Sequence, residues 1–592
     1  MTSPIYHSFN VDEISRISSI GALYETHFLA PKTRVEMRMI KASAFIRSTP
    51  EWNKQLDDKD KRQEWKAQIK DTFNLEYEEI EYVIDELQYY AQLIENGAIG
   101  EEPGAVDYLW IANSASNCEL AEEFKRNAAV LESDFAQAES GKGEAAQLTG
   151  LQALVDPFMY PLTVKESCIL DKPVSKPEDS LNRELPRTKP GSANGWYQAI
   201  KDYNASQFDS RSFYLRRDVS QLVKRKLLNT DDGSFKCWLP TGFLVKRNGS
   251  IAILSYINNL HPVRHAALYE SISKVFAKIV PLLDQVTTDM INPHDQRVGF
   301  DSFYCFKSRL LSPHKILDLA KNGIPIPEEY HKYLVDSEAY AFDGKGYIIR
   351  EFGIALNYSK LADACEKAEY YVEPVPRMFY EPDRPDEPHI LREVSLQASV
   401  EISNINLTPQ NPTHPEGEWQ AVGRAQEHIY AVGLYFYDVE NIASPKIKFR
   451  DPVWRGLFYN PDEFRGFCAG HDVKDIRSHS CVLEQEVGEV EIKSGGYICY
   501  PNFYQTKMPS FELADPTRPG HVKYIAFYVV DIAYELVSTS IVPPQQPHWT
   551  GVTESAEEAE AALKDKKELE KWHGCSKSVK NRFDSVIYVG DY

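Results

Sequence analysis

Between residues 75 and 96, Ile80, Ile84, Leu87, Ala91 and Ile94 recur at helical spacing. That spacing predicts an amphipathic helix with one apolar face, stopped at Asn96-Gly97. Residues 35–47 (VEMRMIKASAFIR) mix apolar and basic positions and read as a helix of the same layer, with Trp52 and Trp65 packing it. Farther on, residues 235–244 and 250–254 read as strands joined by a turn at Asn248-Gly249. A helix follows over about 269–283. From Val394 the period becomes two: Val394, Leu396, Ala398, Val400 and Ile402 alternate with polar residues, as in a half-buried strand. Residues 428–437, 490–500 and 523–530 are further strands. Tyr430, Tyr435, Phe436 and Tyr437 make the first of these aromatic, which in a sheet normally means core.

Breaks in the pattern divide the chain. Ser140-Gly141-Lys142-Gly143 reads as a loop, VDPFMYPLTV (155–164) opens a new unit, and 172–193 reads as a long exposed strap. Proline-rich punctuation over 374–388 marks the next boundary. A charged helix with Glu560 and Lys564 at i,i+4 spacing occupies 553–572. The expected organisation is a helical region at 1–150, a mixed α/β region at 151–390, a β-rich domain at 391–550, and a charged helix and tail at 551–592. The fold class is α+β. Many antiparallel strands with irregular loops suit a jelly roll, a cupin-like double-stranded β-helix, packed with the helical N-terminal region.

Composition narrows the function classes. Apolar residues make up 43% of the chain, enough for a sizeable core, and 592 residues suffice for several domains. A net charge of -21 argues against a nucleic-acid backbone as partner. The sequence shows no signal peptide and no run long enough to span a membrane. Nine cysteines, an odd and scattered set, read as reduced thiols and a cytoplasmic location.

Several constellations carry chemistry. Cys468, His471, Asp472, His479 and Cys481 are metal-capable, but Cys-x2-His-x7-His-x-Cys is no standard zinc pattern. An ordinary loop is the plainer reading. The basic run RSFYLRRDVSQLVKRK (211–226) reads as a solvated helix face, with an anionic partner such as tRNA as the alternative. Asp57-Asp58 and Asp231-Asp232 lack the Glu of a DDxxE-type motif, which places an aminoacyl-tRNA-dependent cyclodipeptide synthase last. In SYINNLHP, Asn258, Asn259 and His261 either grip a substrate or brace a polar network; Arg264 and His265 could face an anion. Neither GxGxxG, a P-loop nor G-x-S-x-G occurs.

The stretch EGEWQAVGRAQEHIYAVGLYFYDVENI (416–442) resembles a fungal family known only as domain of unknown function 4246. VDPFMYPLTV, SYINNLHPVRHAALY, LQASVEISNINLTPQNP, FELADPTRPGH and STSIVPPQQPHW extend the resemblance to Trp549. The resemblance implies a 2-oxoglutarate/Fe(II) oxygenase-like C-terminal half. In that family the Trp precedes His-x-Glu and a later PN-x-x-Q-His supplies a second His, a facial triad. Here those positions read Gln420, Val422 and Thr506. The usual PGHRK, whose Arg pairs with the co-substrate, reads PGHVK, leaving Val522 and then Lys523. His428 follows closely, as a structural hydrogen-bonding residue or a substitute ligand.

The resemblance therefore implies a degenerate iron site with no metal and no cofactor. Its pocket candidates are Gln420, Val422, Thr506, His428, Lys523, Asn258, Asn259 and His261. The expected function is a metal-independent enzyme or binding protein for a small molecule in specialised metabolism. Alternatives are a non-catalytic partner of an active oxygenase, and an oxygenase using atypical ligands. Expected partners are a small molecule or another protein, with neither membrane nor nucleic acid.

Overall fold

The computed structural model describes residues 31–96, 101–113, 118–139, 150–163, 166–182, 184–185, 187–188, 236–292, 296–300, 305–335, 347–379, 391–420, 422–423, 427–454, 461–471, 482–532, 535–550, 560, 562–564 and 566–567. The loop at 140–143, the basic run at 211–226, Asp231-Asp232, Asp472, His479 and Cys481 lie outside them.

Helix α1 (Arg34–Arg47) starts where the Thr33 hydroxyl accepts the Glu36 N–H at 3.2 Å. Helix α2 (Lys59–Phe73) starts at Asp58, whose carboxylate accepts the N–H groups of Asp60 and Lys61. Asp58 is thus a cap. Helix α3 (Tyr77–Asn96) buries the expected face through Ile80, Ile84, Leu87 and Ala91. Trp52 and Trp65 pack beneath it in the same apolar cluster.

The centre of the molecule is a nine-stranded sheet. Its strands are β1 (Glu101–Pro103), β2 (Trp110–Asn113), β3 (Leu151–Val155), β4 (Thr241–Val245), β5 (Ile251–Ile253), β6 (Ser395–Leu407), β7 (Ile429–Glu440), β8 (Gly496–Pro501) and β9 (Gly520–Val530). They run in the order β1-β2-β8-β7-β9-β6-β4-β5, with β3 also paired to β6. The β4–β5 hairpin turns at Gly249, whose φ is +81°. The Asn248 side chain accepts the Ser250 N–H there.

Helices α4 (Cys118–Glu139) and α5 (Ala266–Ile291) cover one face of the sheet. Ile272, Phe276, Ile279 and Leu283 meet Phe243, Ala398, Ile402, Tyr435 and Phe527 in one core. Gly433 permits the close approach of β7 to α5: a Cβ there would lie 2.7 Å from Ile279 Cγ2. The second face carries Leu434, Phe436, Ile498, Tyr500, Val522 and Ala526. Phe449 reaches that core from a small sheet in which Lys446–Trp454 lies between Val482–Glu491 and Gln505–Lys507.

The architecture is α+β, but the expected jelly roll is corrected. The central sheet is open, running from β1 at one edge to β5 at the other, and no sheet of the described residues closes into a barrel or a double-stranded β-helix. The cupin-like description falls with it. Strands from residues 101–113, 151–155 and 241–253 extend the later strands sideways into one wide sheet, whose first face is closed by helices. Period-two alternation reports that a strand has two unlike faces; it carries no information on whether the sheet closes.

Local readings differ in smaller ways. The strand expected over 490–500 is two strands, Val482–Glu491 and β8, with a turn at Gly495 (φ +75°) between them. Helix α5 runs through Pro281 to Ile291, past the expected end. Among the described residues no helix is long and apolar enough to cross a membrane.

Candidate functional site

The geometry begins with Gln420 and Thr506. They form an antiparallel bridge in which Gln420 N–H donates to Thr506 O at 3.0 Å and Thr506 N–H to Gln420 O at 2.9 Å. Directly opposed residues in such a pair put their side chains on the same side of the ladder. Thr506 also lies opposite the buried Phe449. Thr506 lies beside the Tyr500 phenol, and its side chain opposes the rise that burial gives Tyr500. Gln420 is exposed and Thr506 half-buried, so the pair stands at the rim of the second face.

Three devices hold the loop carrying Gln420 and Val422. Asn502 is fully buried, and its amide donates to Val422 O at 2.8 Å and Ile429 O at 3.0 Å. Gly423 has φ +69°, and a Cβ there would meet Ile429 Cγ1 at 2.9 Å. The buried carboxylate of Glu427 accepts the Trp238 N–H at 2.9 Å, tying the loop to the segment before β4. Val422 itself packs on the second-face core. His428 takes a left-handed φ of +45° and its carbonyl accepts the Asp531 N–H at 2.7 Å, so its backbone anchors the entry to β7. Beside Gln420, the Trp419 ring lies between Arg450 and Lys507, each 4.7 Å from its centroid.

The interior part of the site is centred on Glu401 of β6. Its Oε1 accepts the Tyr524 hydroxyl at 2.9 Å and the Ser403 hydroxyl at 2.7 Å; its Oε2 accepts the Tyr528 hydroxyl at 2.6 Å. Burial raises the Glu401 carboxyl above the ordinary range, and the Tyr528 and Ser403 hydrogen bonds pull it back. Burial likewise raises Tyr524, Tyr528 and Tyr500. Tyr500 feels both the charge of Glu401 and the Thr506 side chain, so it lies between the interior cluster and the rim pair. The Tyr528 ring lies 5.0 Å from Trp238. Glu401, Tyr524, Tyr528 and Thr506 all keep partial exposure.

Sequence reasoning passed over Glu401 because its strand alternates. Polar positions of an alternating strand are ordinarily assigned to solvent. Here Ser399 and Ser403 on that face are buried, and the polar face of β6 points inward. The signal available was the run Ser399, Glu401, Ser403 inside a segment of the family resemblance.

Other candidates lie elsewhere. Lys523 points to the helical face, where its Nζ meets the Glu132 carboxylate of α4 at 2.9 and 3.0 Å. Asn258 donates to the carbonyls of Met159 and Tyr160, and Asn259 to those of Asp156 and Met159. The Gln546 amide then donates to both asparagine oxygens at 2.9 Å. His261 Nδ1 accepts the Val263 and Arg264 N–H groups, and its ring lies 5.1 Å from Trp549. These three residues brace the 155–163 and 545–549 segments. Arg264 and His265 both pair with Asp134. Cys468 and His471 share the helix Pro461–His471; the His471 ring is stacked on Phe467 and its Nδ1 faces the Phe467 carbonyl.

The donor set does not suit Fe(II). Val422 offers no donor atom, Gln420 only an amide and Thr506 only a neutral hydroxyl. Among the described residues no group of three or more His, Cys, Asp or Glu is placed to hold a metal ion.

A family model described as "Protein of unknown function (DUF4246)" matches residues 77–553. Two solved structures are similar over parts of the chain. The Fe(II)/α-ketoglutarate-dependent dioxygenase TqaL matches at 8% identity and TM-score 0.14, over 26% of this chain and 47% of that one. A bsmA homologue from Methylobium petroleophilum PM1 matches at 9% identity and TM-score 0.13, over 38% of this chain and 95% of that one. The match thus spans about half the length of TqaL. No curated protein matches the sequence.

Proposed function

This chain belongs to the DUF4246 family, and on that premise we propose that it binds a small molecule over Glu401, Tyr500, Tyr524, Tyr528 and Thr506 without using a metal ion. It acts there as a non-redox enzyme or as a binding protein. The setting consistent with the cysteine pattern and the family resemblance is the cytoplasm, in fungal specialised metabolism.

The observation that carries this reading is the set of three hydroxyls bonded to Glu401, with Tyr500 and Thr506 nearby. Carboxyl, phenol and alcohol groups on a partly exposed interior face fix the orientation of a polar ligand. Thr506 occupies the position where, by resemblance, iron-dependent relatives place a histidine. Here a hydroxyl stands there beside Tyr500, which also feels the charge of Glu401.

The test is reconstitution of the purified protein with Fe(II), followed by metal analysis and a 2-oxoglutarate turnover assay. Substoichiometric iron and no turnover are expected. Tight binding of one iron per chain overturns the reading. A Gln420→Ala, Thr506→Ala double variant should weaken retention of any small molecule that co-purifies with the wild type, read by mass spectrometry of the denatured protein.

A further inference from the structure

Glu401 has a counter-charge vacancy. Its two oxygens offer about four acceptor directions. Oε1 uses two, for Tyr524 and Ser403, and Oε2 uses one, for Tyr528. All three donors are neutral hydroxyls, and among the described residues no Lys, Arg or His forms an ion pair with this carboxylate. Asp156 acts on it as a like charge, itself paired with Lys566 at 2.5 Å.

The cations at the rim have other work. Lys507 pairs with Glu416 at 2.5 Å and lies over Trp419. Arg450 donates to the Gln505 side chain at 2.7 Å and lies over the same ring. Trp238 and Tyr528, with ring centroids 5.0 Å apart, put aromatic rings beside Glu401, and such rings favour a cation over an anion. The net charge of -21 steers cations toward the molecule.

Resting on the binding reading above, we infer that the ligand presents a protonated amine to Glu401. The amine N–H takes the open direction on Oε2 and supplies the positive charge the cluster lacks. A ligand carboxylate or phosphate would meet Glu401 as a like charge.

The experiment uses the full chain and three probes sharing one framework: phenethylamine, phenethyl alcohol and phenylacetate. Binding is followed by ligand-observed NMR on the wild type, on Glu401→Gln, and on Thr506→Trp, which fills the rim. The expected result is that phenethylamine binds at least about tenfold more tightly than the other two, the size of a charge-assisted contact. Glu401→Gln should abolish that preference, and Thr506→Trp should block the probe. If the alcohol or the acid binds as well as the amine and Thr506→Trp blocks it, the site stands and the amine inference falls. If no probe binds, or Thr506→Trp changes nothing, both readings fall. Should Glu401→Gln not fold by circular dichroism, the ranking of the probes on the wild type alone decides.

Discussion

Gln420 and Thr506 exchange both backbone hydrogen bonds, at 3.0 and 2.9 Å, so their side chains leave one ladder from directly opposed positions. Cβ atoms in such a pair are about 5 Å apart, a separation two imidazoles can close onto one ion with bonds of about 2 Å. By the family resemblance, iron-dependent relatives place histidines at these two positions, where this chain has an amide and a hydroxyl. The triple variant Gln420→His, Val422→Glu, Thr506→His is expected to bind about one divalent ion per chain, measured by calorimetry with Co(II), against none for the wild type. A folded triple variant that binds no ion would falsify the claim that this pairing retains metal-site geometry.

Lys523 follows the ligand region in sequence but is held by Glu132 on the helical face. Lys523→Ala should leave binding at the Glu401 cluster unchanged. The pair is partly exposed, so its loss should cost under about 1 kcal/mol. Paired titrations of the same probe into wild type and variant check this; a several-fold loss of affinity contradicts the assigned orientation.

Asn502 satisfies two backbone carbonyls from within the core. Asn502→Ala leaves both without that donor and should destabilise the protein by about 2–4 kcal/mol. Urea denaturation monitors the loss. Binding should weaken as well, because the same amide fixes the Val422 loop.

Asp451, buried beside Lys32 and Asp107, has its carboxyl pushed up to about 7, chiefly by burial, with Lys32 opposing. The folded state therefore holds a proton that the unfolded state releases near pH 4. Its contribution to stability is complete below pH 4, declines as pH rises toward 7, and is constant above that. Asp451→Asn removes this dependence. Relative to wild type it should gain apparent melting temperature progressively from pH 4 to 7, with no further relative gain above. A difference between the two proteins that stays flat over that window contradicts the assignment.

The helical reading of residues 75–96 needed only local information, because a helix closes its own hydrogen bonds and the apolar face at Ile80, Ile84 and Leu87 sets its packing. The β4–β5 turn was equally local, since Asn248-Gly249 supplies both the side-chain acceptor and the positive φ. The departures that the family resemblance implies at 420, 422 and 506 could be read because the flanking Trp419 and Pro501-Asn502 match the family pattern. Glu401 was not visible; the brace at Asn258 and Asn259 was one of two readings left open, and its partner Gln546 was not visible.

The amino-acid order by itself determined the strongly periodic helices, such as residues 77–96, which strands have two unlike faces, and which side chains stand where the family resemblance implies iron ligands. Tertiary structure decided that β6 turns its polar face inward, that Lys523 serves a helix, and that the sheet stays open. Strand pairing joins residues hundreds of positions apart, such as Tyr497 with Ala112. No local pattern encodes which partner lies beside a strand or what covers each of its faces.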